Sequence, residues 1–189
     1  MKDTKKRKAD DILRCQLLHP ESGAFTRDEL EDGLRCVLYE MVVLALALVQ
    51  LKNRGEKLRD QTSGEELPFG EEQTAHEGAC LTSRVLIELL YPDVTKPDDK
   101  HTSTPKELRK LHKSLHKWAA HLTWKRVKKD EECRQPYPEV LLKHGSTILT
   151  DAANFVDECI KRYDYKLTSK NAKPYYNTFQ ELKTRLMDL

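Results

Sequence analysis

The stretch TRDELEDGLRCVLYEMVVLALALVQLKN (Thr26–Asn53) decides the fold. Thr26 followed three residues later by Glu29 is a capping box. The hydroxyl satisfies a free N–H of the first turn, and the carboxylate reaches back to the cap's own N–H. A helix is therefore predicted from Thr26 to about Asn53, stopping near Gly55. From Val37 to Leu51 it is apolar on nearly every face, so it should be the most buried element. Tyr39 and Glu40 are its polar interruptions, and Glu40 is expected to be paired or near an edge. The apolar run Cys36–Leu51 falls short of the roughly 18–20 residues of a membrane span. It reads as a core helix, with no membrane involved.

Working outward, a helix over Glu71–Tyr91 is closed by Pro92, with Leu81, Val85, Leu86, Leu89 and Leu90 as its core side. Glu56–Gly70 and Asp93–Ser103 are polar, Gly- or Pro-containing loops. Thr104, Pro105 and Glu107 open a long helix over Thr104–Lys128, Thr104 and Glu107 forming a second capping box. Leu108, Leu111, Leu115, Trp118 and Leu122 lie on one stripe of it. Arg109, His112, His116 and Thr123 flank that stripe on one side; Ser114, Lys117, His121 and Lys125 flank it on the other.

After a linker holding Pro136 and Pro138, Glu139–Tyr165 is a further long helix, with Gly145 marking a close crossing or a bend. Pro174–Leu189 adds a short terminal helix through Phe179, Leu182 and Leu186. Upstream, Asp10–Leu18 reads as a short helix and Met1–Ala9 as a basic, fraying tail. No strand alternation or internal repeat interrupts this pattern. The expected fold is all-α: a helical bundle of about four long helices plus short terminal helices. Residues 10–189 form one domain behind the tail at 1–9.

Composition narrows the function classes. The 33 basic and 31 acidic residues nearly cancel, so overall charge makes no case for nucleic acid. Basic residues do cluster locally, at Lys2–Lys8 and along Lys106–Lys129. The N-terminus has no secretory pattern, and the five cysteines (15, 36, 80, 133, 159) are widely spaced. Reduced thiols in a cytoplasmic protein are the simplest account. No phosphate-cradling Gly-rich loop, Ser-His-Asp order or paired-carboxylate spacing supports a kinase or hydrolase, and no cofactor is implied.

Histidines supply the candidate chemistry. His112 and His116 stand one helical turn apart, as do His76 and Cys80 on the preceding helix. Packed together, the four could surround one zinc ion. Lys113 occupies the place of the general-base Glu of zinc proteases, which excludes that reaction. Against the metal stands the ordinary account, helix-flank histidines. Arg84 interrupts an apolar run, so its guanidinium must reach solvent or meet an acceptor; a structural salt bridge is the favoured reading.

The segments EGACLTSRVLIELLYPD (Glu77–Asp93) and LHKWAAHLTWKRV (Leu115–Val127) resemble a group of bacterial helical proteins. Their pattern is His-Ala-Arg before an aliphatic run and, after a loop, Asn-Lys-x-x-Ala-His-Leu-Thr. Arg84, Lys117 and Ala120–Thr123 match it, whereas Thr82 stands at the pattern's His and His116 at its Asn. The layout is similar to the wider HEPN class, whose members are often dimeric and include metal-independent ribonucleases of toxin–antitoxin and antiviral systems. Their motif is an Arg followed after four to six residues by a His. A cation stabilises the phosphorane and a histidine moves the proton.

The resemblance implies RNA as a partner, a homodimer or a partner protein, and two functions. One is a ribonuclease, with Arg84 or Arg109 as the cation and His116 or His121 as the acid–base group. Lys110, Lys113, Lys117 and Lys125 would then hold phosphates. Arg109 and His116 share a flank with six residues between them, whereas His121 has only Lys117, four residues before it. The other is a non-catalytic interaction or adaptor protein on the same bundle. On either reading, the Glu71–Tyr91 helix should pack beside the Thr104–Lys128 helix and bring Arg84 near the motif around His121.

Overall fold

The computed structural model describes residues 26–53, 70–94, 104–120, 138–163 and 172–187. They form five helices: α1 (Arg27–Lys52), α2 (Gly70–Leu90), α3 (Lys106–Ala120), α4 (Pro138–Tyr163) and α5 (Ala172–Met187). Among the described residues there is no strand, so the fold is the all-α bundle expected. The basic tail, the Asp10–Leu18 helix and the loop over 56–69 lie outside the described residues.

α1 is the hub, packed by α2, α4 and α5; α2 also packs on α4 and carries α3. The hub begins as its capping box dictates. The Thr26 hydroxyl accepts from the Glu29 N–H at 3.4 Å, and Glu29 takes the Thr26 N–H at 2.8 Å. Leu38, Met41, Leu44, Ala45 and Leu48 on α1 have at most 1 % exposure. Tyr39, one of the polar interruptions, lies outside, its ring edge-on to Tyr175 of α5 at 5.8 Å. Glu40 is half-buried, and that burial pushes its carboxyl up.

By length and composition α1 could cross a membrane, which the Cys36–Leu51 run alone does not suggest. Its apolar window is 56 % buried inside the protein, the packing of a core helix.

Three features depart from, or sharpen, the sequence reading. On α2, Leu81 and Val85 are about half exposed, at 50 % and 47 %, although expected on the core side. Ala75, Ala79, Thr82 and Ser83 face inward instead, with Leu86, Ile87, Leu89 and Leu90. The buried arc therefore joins small side chains to aliphatic ones, and Leu81 and Val85 fall outside it.

On α4, Gly145 marks a close crossing. A Cβ built there would lie 2.6 Å from Leu48 Cδ1 of α1. The terminal helix α5, expected as a short accessory, is a full bundle member. Phe179 and Leu182 are buried, and α5 lies along α1.

The connection from α2 into α3 is tied down at both ends. The Tyr91 hydroxyl donates to Asp151 of α4, and burial followed by that bond pushes the phenol well up. The Thr104 hydroxyl donates to Asp93. α3 begins at Lys106, where Pro105 supplies the carbonyl for the Arg109 N–H, and Glu107 takes Lys110 at 3.2 Å. Leu108, Leu111 and Leu115, all buried, hold α3 against the bundle. At ~2 kcal/mol each they contribute roughly 6 kcal/mol of gross burial.

Candidate functional site

α3 is divided along its length. Its three leucines point inward and Lys106, Lys110, Lys113 and Lys117 point the opposite way, at helical intervals that keep them on one line. Lys106, Lys110 and Lys113 are exposed, and Lys117 is half-buried. Between these two faces, on the side toward α2, lie Arg109, His112 and His116, the flank read from the sequence.

Across from that flank, Glu88 of α2 gathers the charges. Arg84 Nε donates to Glu88 Oε1 at 2.9 Å, along one helical turn. His112 Nε2 meets the same oxygen at 2.9 Å from α3. A carboxylate only accepts, so Nε2 carries the proton in this bond. The His116 ring lies 6.2 Å from that of His112, tilted by 53°.

Burial raises the Glu88 carboxyl, but hydrogen bonds from His112 and Arg84, reinforced by their charges, overcome it and hold the group at about 2. Glu88 is therefore ionised throughout the physiological range.

α2 does pack beside α3, as expected. Arg84 meets α3 at His112 through Glu88, and the favoured reading of Arg84 as a structural salt bridge describes what it does. Arg109 and His116 are both half-buried, on the same flank of α3 as His112 and about two turns apart. His121 and Lys125 lie outside the described residues.

The zinc arrangement does not assemble. Among the described residues no group of three or more His, Cys, Asp or Glu side chains is placed to hold a metal ion. Thr82, at the position where the resembled pattern has a histidine, donates to the Gly78 carbonyl of its own helix at 2.7 Å.

One participant, Glu88, escaped the sequence reading, although Arg84 and Glu88 stand at the i,i+4 interval of a helical ion pair. That His112 rather than His116 completes the cluster follows only from how α3 is rotated on α2.

Chemically, the cluster orients His112 but shuts it in. His112 is 5 % exposed, so no substrate reaches its ring. His116 is the histidine of the pair nearer solvent. Fold and site together define an all-α bundle with a basic helix fastened to its side by leucines and a half-buried carboxylate–cation cluster between α2 and α3. No family model, curated protein or solved structure matches the chain.

Proposed function

We propose that this protein is a HEPN-like helical bundle that binds RNA without cleaving it, through the outward lysines of α3. One observation carries the reading. Arg84, one of the two candidate cations, bonds Glu88 Oε1, an oxygen it shares with His112 of α3, so its Nε is turned toward a carboxylate. A ribonuclease needs that cation aimed at a phosphate. Lys106, Lys110 and Lys113, by contrast, are exposed together on the opposite side of the same helix. Such a line of cations holds backbone phosphates and has no part in proton transfer.

The test pairs binding with cleavage. Fluorescence anisotropy on labelled mixed-sequence RNA should show binding that weakens steeply as salt rises. Chelator-treated protein should leave the same RNA intact over hours. Metal-independent cleavage abolished by His116→Ala or His121→Ala would replace this reading with the ribonuclease one. No binding at low salt would end it.

A further inference from the structure

We infer that the lysine line of α3 takes a nucleic-acid duplex, RNA or DNA alike, by its phosphate backbone and in preference to a single strand. This rests on the binding reading above and names the class of partner it accepts.

The geometry of the line comes first. Lys106, Lys110, Lys113 and Lys117 recur at intervals of four, three and four residues, so they stay within about 60° of arc on the helix. At 1.5 Å per residue they span about 16 Å of a straight, rigid rod. A duplex carries one phosphate charge per ~1.7 Å of its axis, at positions already fixed by base pairing. A rigid line of cations meets a rigid line of anions with little ordering to oppose it. A single strand would have to be straightened against its own conformational entropy.

The chemistry of the line points the same way. Proteins that prefer single strands offset that ordering cost with aromatic side chains on which bases stack. The exposed face of α3 through Lys117 offers ammonium groups, the Glu107 carboxylate and Ser114 at its edges, and no aromatic ring. It also lacks the Asn, Gln or Arg forks that read base edges, Arg109 lying half-buried on the flank toward α2. Ammonium point charges do not read a 2′-hydroxyl, so sugar identity is not distinguished.

One local feature tunes the line. Glu107 holds Lys110 at 3.2 Å, both side chains being more than half exposed, and Glu107 also feels Lys106 and His144 of α4. An incoming phosphate competes with this carboxylate for the same ammonium. Removing the carboxylate's charge should therefore strengthen binding, a gain that damage to the fold would not produce.

The experiment measures anisotropy with labelled 20-base-pair RNA and DNA duplexes, the corresponding single strands, and co-sedimentation with vesicles rich in anionic phosphatidylserine. Both duplexes should bind within about threefold of each other and at least tenfold tighter than either strand. The slope of log binding constant against log salt should be about −2.7 to −3.6, as for three or four released counterions. Lys110→Glu/Lys113→Glu should weaken duplex binding at least tenfold with an unchanged melting temperature. Glu107→Gln should tighten it about twofold or more.

Single strands bound as tightly as duplexes would overturn this inference and leave the RNA-binding reading standing. So would duplex binding that neither set of substitutions alters. Vesicle binding without duplex binding, or no binding to any nucleic acid, would overturn both.

Discussion

Replacing Glu88 by Gln keeps a hydrogen-bond acceptor facing Arg84 and His112 and removes only the charge, so it isolates the electrostatics of the cluster. The carboxyl is lowered from an ordinary 4.5 to about 2 in the folded protein. At ~1.4 kcal/mol per pH unit, that difference corresponds to about 3 kcal/mol in a fully enclosed site. The Glu88 side chain is 29 % exposed, and solvent screening reduces the figure to ~1.5–2 kcal/mol.

A group whose folded pKa is depressed contributes fully above its unfolded value. Its contribution is lost as pH falls through the folded one. The Glu88→Gln penalty should therefore be present at pH 7 and shrink as pH drops from about 4.5 toward 2. Guanidinium unfolding followed by far-ultraviolet circular dichroism, with both proteins measured from pH 7 to pH 3, reads it directly. Equal stabilities at pH 7, or a penalty that persists unchanged at pH 3, would refute the role given to this carboxylate.

Two further substitutions probe the packing. Gly145→Ala gains about 1 kcal/mol of helix propensity but drives a methyl into Leu48, an overpacking cost of ~1–3 kcal/mol. It should be neutral to destabilising by up to ~2 kcal/mol in the native protein, yet stabilising in a Leu48→Ala background, where the clash is gone; a double-mutant cycle without that coupling would contradict the close crossing. Ser83 is fully buried, and its hydroxyl has no hydrogen-bond partner among the described residues. Ser83→Ala should therefore raise stability by about 1 kcal/mol in the same denaturation assay, and a loss would mean that the hydroxyl is satisfied in solution.

The sequence by itself determined the class of fold and its hub. A capping box at Thr26 and Glu29, followed by an apolar surface on nearly every face, is local information that allows one structure, a buried helix. The inward leucines of α3 were legible for the same reason, because helical periodicity sorts residues without any neighbour present.

Only the tertiary structure decided the rest. Which arc of α2 is buried was set by where α1 and α4 pack on it. That favoured Ala79 and Ser83 over the larger Leu81 and Val85. The Thr104 hydroxyl found Asp93, eleven residues back, because the packing of α2 and α3 brings the two within reach. The cluster at Glu88 needed α3 at one particular rotation on α2, which presents His112 to a carboxylate 24 residues away in sequence. Contacts of that kind are set by packing between surfaces, and periodicity carries no record of which surfaces meet.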